Sequence, residues 1–301
     1  MLHGWIILDK PLGLGSTTAV SAVKRILREA GEPRTKVGHG GTLDPLASGV
    51  LAIALGEATK LAGRMLDATK AYEFTIRFGE QTDTLDGEGE VIAASDVRPT
   101  LAEVAAALPG FTGAIEQVPP AYSALKIDGK AAYARVRAGE TVEMKPRTVT
   151  VHALCLAPTT APGSGGALGE VALSCTVSKG TYIRSLARDI AHAVGTVGHV
   201  VHLRRTRAGP FGLEQAVSLD FLEETAKART LTRTVLPLQA ALDDIPALPV
   251  TPEQARLLRH GQMLFGFPAR PGLQLATCGE TPVALVEALA DGLCVVRGFN
   301  L

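Results

Sequence analysis

The sequence has little of what a metal site or a disulfide framework requires. Its 301 residues contain only four cysteines, at positions 155, 175, 278 and 294. No two of them form a C-x-x-C pair, and no histidine lies at the spacing that would complete a zinc site. We therefore expect free thiols, a reducing cytoplasmic environment and no bound metal.

Long apolar runs are also missing. Mean hydropathy is +0.20, yet no stretch reaches the ~18 to 20 apolar residues that a membrane span requires. The first apolar run, residues 5–8, stops at Asp9. That length predicts a buried strand and is too short for a secretion signal.

An excess of either charge is missing as well, with 30 basic and 30 acidic residues. Zero net charge argues against a protein that coats nucleic acid by charge alone. Basic residues nevertheless concentrate in residues 24–36, 126–147 and 198–210, whereas residues 80–103 are mainly acidic. One face could then bind a phosphate backbone, with ordinary solvated surface as the alternative for each segment.

Length and composition predict a large domain followed by a small one, because 46% of the residues are hydrophobic. Strand-like and helix-like patterns mix along residues 1–245, with a Gly-punctuated, basic insertion at residues 119–147. From residue 246 the chain changes to prolines, one short helix and several strand-like runs. We expect a domain at 1–245, an inserted lobe at 119–147 and a β-rich module at 246–301.

Local patterns predict most of the individual elements. Apolar residues at helical spacing, with caps, predict helices from residue 16 or 17 to 31, near 57–66, and at 100–108, 130–138, 182–194 and 252–259, and a helix with a connector within 227–245. Alternation and short apolar runs predict strands at 5–8, 50–55, 72–78, 149–153, 171–177, 198–206, 273–277, 283–289 and 293–298. Residues 38–49 and 157–169 are rich in glycine and proline and predict loops.

The first of these loops carries a carboxylate. Residues 38–49 read GHGGTLDPLASG, and four glycines in twelve residues allow sharp turns and close approach to a ligand. Pro45 restricts Asp44 to extended backbone and so limits where its carboxylate points. A carboxylate held in this way suits nucleophilic or acid–base chemistry. A structural aspartate in a turn is the alternative, as an ordinary surface histidine is for His39.

Two further segments carry residues suited to chemistry. Residues 179–189, KGTYIRSLARD, join a strand to a helix, and Lys179 and Arg184 offer cations for a carboxylate or a phosphate. Tyr72 begins an alternating strand in a chain with only 4% aromatic residues. Stacking on a nucleobase is one use for such a ring. An ordinary helix start and core packing are the respective alternatives.

Together these segments resemble the TruB family of tRNA pseudouridine synthases. The order and spacing of the matching segments agree: LDKPLG at 8–13, GHGGTLDPLASG at 38–49, KAYEFTIRFGEQTDTLDGEG at 70–89, VPPAYSALKIDGKAAY at 118–133, SKGTYIRSLARDI at 178–190 and HLRRTRAGPF at 202–211. The resemblance covers about residues 2–245. It implies an α+β pseudouridine synthase fold, with a mixed, largely antiparallel central sheet and flanking helices. Residues 246–301 resemble a PUA domain, a small β-barrel that binds RNA.

The resemblance implies an isomerase that flips uridine 55 out of the T-loop of tRNA and converts it to pseudouridine without a cofactor. Asp44 matches the catalytic aspartate, Tyr72 the tyrosine that stacks on the target base, and Arg184 the arginine that pairs with the aspartate. The remaining implied substrate-binding or bracing residues are His39, Lys10, Pro11, Lys60, Asp86, Lys126, Lys179, Tyr182, Leu203, Arg204 and Arg205. Gly40 departs from the pattern, since many family members have threonine there.

The expected partner is the T-arm stem-loop of tRNA, bound by a cytoplasmic monomer without a guide RNA or a membrane. Three chemical routes remain open for the carboxylate: attack at C1′, addition to C6 and removal of a proton from C2′. Two other functions remain open as well. One is an RNA-folding factor that uses the same cleft, and the other is the catalytic subunit of a guide-RNA complex.

Overall fold

The computed structural model describes residues 1–157 and 166–301. Most of the loop predicted at 157–169 therefore lies outside the described residues. The helices are α1 (Ser16–Glu29), α2 (Ala62–Asp67), α3 (Leu101–Ala107), α4 (Ala132–Arg137), α5 (Ile183–Ala193), α6 (Leu219–Lys227) and α7 (Pro252–Arg259).

Eighteen strands are assigned in the described part of the chain. They are β1 (Gly4–Lys10), β2 (Val37–His39), β3 (Ala47–Leu55), β4 (Lys70–Phe78), β5 (Glu80–Thr82), β6 (Val91–Ala94), β7 (Gly113–Gln117), β8 (Lys126–Ile127), β9 (Lys130–Ala131), β10 (Arg147–Leu156), β11 (Glu170–Val177), β12 (Gly198–Ala208), β13 (Phe211–Gly212), β14 (Ala247–Pro249), β15 (Leu264–Phe265), β16 (Gly272–Cys278), β17 (Thr281–Leu289) and β18 (Gly292–Gly298).

The central sheet has the strand order β1-β3-β12-β4-β11-β10-β7, with β2 added beside β3 and β13 beside β12. Only the pairing of β12 with β3 is parallel in this sheet; the other pairings are antiparallel. The predicted mixed, largely antiparallel sheet with flanking helices is therefore confirmed.

Alternation in β4 explains why this strand lies at the centre. Phe74, Ile76 and Phe78 are at most 2% exposed and enter one core cluster. Helix α5 covers the same face with Leu186 and Ile190, which belong to that cluster too. The shared cluster packs α5 against β4 and so holds the start of β4, at Lys70, and the start of α5, at Ile183, in fixed relative positions.

A second sheet, in the order β14-β16-β17-β18-β15, forms the C-terminal module and agrees with the small PUA-like domain that was predicted. Leu275, Leu285 and Phe299 of this region share a core cluster with Trp5 of the larger body. Lys60 also donates from Nζ to the carbonyl of Gly298 at 2.9 Å. The boundary at residue 245 stays a prediction, as do the limits of the inserted lobe.

Three local predictions are wrong in part. The helix predicted within 227–245 lies earlier, at Leu219–Lys227, because the Ser218 side chain caps it at Phe221 N; short 3-10 turns follow. The helix near 57–66 begins as the 3-10 turn Gly56–Leu61. The predicted loop at 38–49 has strands at both ends. Strands β6 and β7 were not predicted.

Among the described residues, no helix is long and apolar enough to cross a bilayer.

Candidate active site

A cavity of about 360 Å³ lies where β4, β12 and the start of α5 meet the loop between β2 and β3. Its lining includes Asp44, Tyr72, Tyr182, Arg184 and Leu203. Residues far apart in sequence, and singled out from separate motifs, thus share one site. A second cavity, of about 660 Å³, lies beside it and also includes Asp44 and Arg184 in its wall.

Asp44 is held by bonds to the backbone around it. Its carbonyl accepts from Ala47 N at 3.0 Å, which starts β3. One residue earlier, Leu43 exchanges two 2.8 Å hydrogen bonds with the Ser16 hydroxyl at the start of α1. The Asp44 side chain itself remains 38% exposed. The loop is therefore fixed while its carboxylate stays accessible to a ligand.

Lys10 braces the same loop from below and is fully buried. Its ammonium donates to the carbonyls of Leu14 at 2.6 Å, Pro11 at 2.9 Å and Pro45 at 3.4 Å. Burial lowers the pKa of Lys10 to about 8, and the Asp44 carboxylate partly opposes that shift. Lys10 therefore connects three points of the backbone around the loop, and the bracing role implied for Lys10 and Pro11 stays a prediction.

Arg184 contacts four groups around the site, and only 6% of its side chain is exposed. Nη2 lies 2.9 Å from Asp44 Oδ2 and Nη1 lies 3.3 Å from Asp86 Oδ2. The guanidinium also donates to the carbonyls of Thr84 at 2.7 Å and Tyr122 at 3.0 Å. Carboxylate pairs of this kind are strong and directional, so Arg184 orients the Asp44 carboxylate.

Asp86 faces Arg184 and is 6% exposed. Its Oδ1 accepts from the Thr84 hydroxyl at 2.6 Å and from Glu88 N at 3.1 Å. In this arrangement Asp86 positions Arg184. The RNA contact predicted for Asp86 stays a prediction.

Tyr72 and Leu203 supply apolar surface to the cavity. Tyr72 is half-buried on β4, opposite Cys175 of β11 and Arg205 of β12. Burial raises the pKa of the Tyr72 phenol, and the nearby Arg205 guanidinium opposes that shift. The phenol therefore stays neutral, and together with Leu203 it offers a surface that suits an uncharged base.

Arg205 is 1% exposed, and its guanidinium binds three backbone carbonyls as well as the Tyr72 side chain. It donates to the carbonyls of Val50 at 2.7 Å, Thr42 at 3.1 Å and Gly41 at 3.2 Å. The adjacent Arg204 points to the other face of the strand and pairs with Asp9 at 2.8 Å. Both guanidiniums bind protein groups in this structure, and the RNA contacts predicted for them stay predictions.

The remaining predicted residues are distributed unevenly. His39 lies on β2, where burial and then Arg205 lower its pKa, and its Nδ1 is buried without a hydrogen-bond partner among the described residues. Tyr182 lies 4.9 Å beneath the Arg147 guanidinium. Lys179 pairs with Asp67 at 2.9 Å beside the cavity. Lys60 and Lys126 do not line it.

Lys70 is a site residue that its sequence pattern did not single out. It lines the Asp44 cavity, is 7% exposed, and burial lowers its pKa to about 8. Its ammonium donates to the carbonyls of Leu66 and Ala68 at 2.6 Å each. Only its place two residues before Tyr72 could have drawn attention to it.

The packing of Met65 explains why position 40 is a glycine. A Cβ placed on Gly40 would lie 2.4 Å from Cβ of Met65, a residue of α2 that is 3% exposed. The glycine that departs from the family pattern thus accommodates Met65. It also donates from its amide to the carbonyl of Ala52 at 2.9 Å.

Among the described residues, no group of three or more His, Cys, Asp or Glu side chains is arranged to hold a metal ion. The arrangement instead offers a carboxylate, a buried guanidinium and a neutral phenol around a cavity. Those groups suit nucleophilic or acid–base chemistry on a neutral heterocycle.

Comparison with known families and proteins gives consistent results. Residues 24–183 match the family model for the N-terminal domain of TruB family pseudouridylate synthases, and residues 184–243 match that for the C-terminal domain of tRNA pseudouridylate synthase B. The chain is 60% identical to the tRNA pseudouridine synthase B of Novosphingobium aromaticivorans over 301 residues, covering 100% of this chain and 98% of the relative.

Two further relatives extend the comparison. Identity to the tRNA pseudouridine synthase B of Zymomonas mobilis is 58%, covering 99% of this chain and 96% of that protein. A chain of an H/ACA RNP bound to a substrate RNA containing 2′-deoxyuridine has a similar fold, with a TM-score of 0.72 at 24% identity, over 99% of this chain and 86% of that one.

Proposed function

The chain belongs to the TruB family of pseudouridylate synthases, and from that premise we propose that it converts uridine 55 in the T-loop of tRNA to pseudouridine with Asp44 as the catalytic carboxylate. As a tRNA pseudouridine synthase it is an isomerase. The observation that carries the finer proposal is the 2.9 Å pair between the accessible carboxylate of Asp44 and the buried guanidinium of Arg184.

The reaction leaves the composition of the uridine unchanged. The N-glycosidic bond from C1′ to N1 breaks, the ring turns, and C1′ bonds to C5, whose proton leaves while N1 gains one. A carboxylate beside the ribose and the base can attack C1′, add to C6 or remove the C2′ proton. All three routes use the same accessible Asp44 carboxylate, oriented by Arg184.

The substrate uracil has to leave its loop before it can reach Asp44, because the carboxylate stands in a recess of the protein. A cavity of about 360 Å³ accommodates one such base. In our proposal, Tyr72 and Leu203 pack against the extruded ring. The neutral Tyr72 phenol is also suited to donate a hydrogen bond.

We further propose that three segments of the chain have different functions. Residues 1–245 catalyse, the lobe at 119–147 closes over the T-arm, and residues 246–301 contact the acceptor end. Acting as a cytoplasmic monomer, the enzyme would need no guide RNA. The basic residues Lys126 and Arg137 of the lobe are consistent with contact to a phosphate backbone.

The proposal is tested with a T-arm stem-loop carrying tritium at C5 of uridine 55. The wild type should release tritium, whereas Asp44→Asn, which keeps the shape and removes the charge, should show no release above background and should still bind the RNA. Asp96→Asn is the matched control, because Asp96 is exposed and lies outside the cavity. Comparable release by Asp44→Asn would overturn the assignment of Asp44.

A guide-RNA requirement and an RNA-folding role are separated by the same proteins. Tritium release by the purified chain alone would exclude the need for a guide. An Asp44→Asn protein that binds tRNA and accelerates its folding would show a folding role independent of chemistry.

A further inference from the structure

Leu66 is an apolar residue in the wall of the Asp44 cavity with 51% of its surface exposed. Scattered exposed leucines are ordinary on protein surfaces. This one differs because it lies beside a cavity that contains a carboxylate and a buried guanidinium. A ligand that fills the cavity would also remove part of Leu66 from water.

The exposure of Leu66 follows from the way its helix is packed. Its neighbour Met65 is 3% exposed and packs on the Gly40 backbone. Because consecutive residues of a helix point about 100° apart, the burial of Met65 leaves Leu66 directed outward. Turning Leu66 inward would require α2 to release Met65.

The backbone of Leu66 is held from two directions. The buried Lys70 ammonium donates to the carbonyls of Leu66 and Ala68 at 2.6 Å each. The next residue, Asp67, forms a solvent-exposed ion pair with Lys179 at 2.9 Å, a weaker restraint that links α2 to the segment between β11 and α5. An apolar side chain is therefore presented at a fixed place beside the cavity.

We propose that Leu66 is a substrate-contacting residue that packs against the nucleotide flanking the target uridine, with Lys70 positioning it. This inference rests on the proposed function. A single uracil inside the cavity leaves the next nucleotide of the strand at its mouth, where Leu66 stands. The flat apolar faces of a nucleobase or the carbons of a ribose would cover the leucine.

The test compares Leu66→Ala with Val97→Ala. Both residues are 51% exposed, but Val97 lies two residues after Ser95, whose amide donates to the carbonyl of Gly79, just past the end of β4 opposite to Lys70. Dissociation constants for a fluorescent T-arm stem-loop, KM, kcat and Tm would be measured for each. Leu66→Ala should raise the Kd and KM about fivefold, the effect of losing a half-buried leucine contact, with kcat and Tm unchanged.

The conservative variant Leu66→Met should restore most of the affinity, because it keeps the apolar volume. A Kd and KM for Leu66→Ala equal to those of the wild type, or an equal loss in Val97→Ala, would overturn the contact. A benzoylphenylalanine at position 66 should crosslink to the nucleotide beside uridine 55, whereas the same probe at position 97 should not.

The two proposals fail separately. If the wild type converts uridine 55 while Leu66→Ala binds normally, the contact is wrong and the function stands. If the wild type releases no tritium while Leu66→Ala still weakens RNA binding, the contact stands and the assigned reaction is wrong.

The role of Lys70 has its own readout. Lys70→Met removes both hydrogen bonds to the α2 carbonyls, so it should raise KM as Leu66→Ala does. Combined with Leu66→Ala it should add little further increase, since both changes remove the same contact. If the fold increases in KM of the two single variants multiply in the double variant, Lys70 acts apart from Leu66.

Discussion

Two buried arginines hold the Asp44 loop, and they do so by different means. Arg184 binds two carboxylates as well as two carbonyls, whereas Arg205 binds three backbone carbonyls and no carboxylate. The first places a cation directly on the carboxylate that we propose to react. The second mainly fixes the path of the backbone that carries it. The comparison contrasts a cation paired with the Asp44 carboxylate with a cation that holds the loop backbone.

The largest effect is expected from Arg184→Lys. A single ammonium cannot satisfy two carboxylates and two carbonyls at once. Losing one preorganised donor from an active site costs about 10²- to 10³-fold in kcat, and lysine cannot reproduce the fork of donors, so we expect kcat to fall about a thousandfold. Single-turnover tritium release measures this loss.

The matched control is Arg188→Lys, because Arg188 lies one turn along the same helix and pairs with Asp189 instead. Its kcat should stay within a fewfold of the wild type. A kcat for Arg184→Lys within tenfold of the wild type would contradict the role of the guanidinium in orienting the Asp44 carboxylate.

A smaller loss, in stability, is expected from Arg205→Met. Three carbonyls lose their donor, and unsatisfied buried groups cost about 1–3 kcal/mol each. We expect the free energy of unfolding in urea to fall by about 3 kcal/mol in total, which corresponds to about 1 kcal/mol for each carbonyl, because the loop can relax.

Arg205→Met also decides between the two roles considered for this residue. The sequence predicted that Arg205 contacts RNA, which would make the salt dependence of RNA binding shallower in the variant. The structure instead predicts an unchanged slope, because the guanidinium is already bound to protein. A shallower slope with unchanged stability would restore the RNA contact.

The smallest effect is expected from Gly40→Thr, which tests the packing beneath the loop that Arg205 holds. The new side chain would overlap Met65 and cost about 2 kcal/mol of stability. Met65→Gly removes the Cβ that the new side chain would meet, so the double variant should lose less than the sum of the single losses. Strictly additive losses would show that Met65 does not constrain Gly40.

The parts of the fold that could be predicted are those with strong local patterns. Alternation in β4 and the capping box of Thr100 and Glu103 on α3 depend on neighbours in sequence, and both are present in the structure. Strand β7 has only a short pattern and gains its stability from pairing with β10. Such tertiary pairing leaves no local mark, so the strand was missed.

The site divides in the same way. Asp44, Tyr72 and Arg184 stand in motifs and could be proposed from their resemblance to a family. Lys70 and Leu66 could not, because their importance depends on where the end of α2 packs. Arg204 and Arg205 were grouped as neighbouring basic residues, although alternation along β12 sends them to opposite faces.

The carbonyl of Tyr122 has a thermodynamic consequence. It belongs to the segment predicted to form the inserted lobe, and it accepts from the same Nη2 atom that binds Asp44. If the lobe closes on RNA as we propose, its closure and the arrangement of the Asp44 carboxylate share one guanidinium. Linkage is reciprocal, so the proposal requires that a change in the charge on Asp44 also changes the affinity of the lobe for RNA.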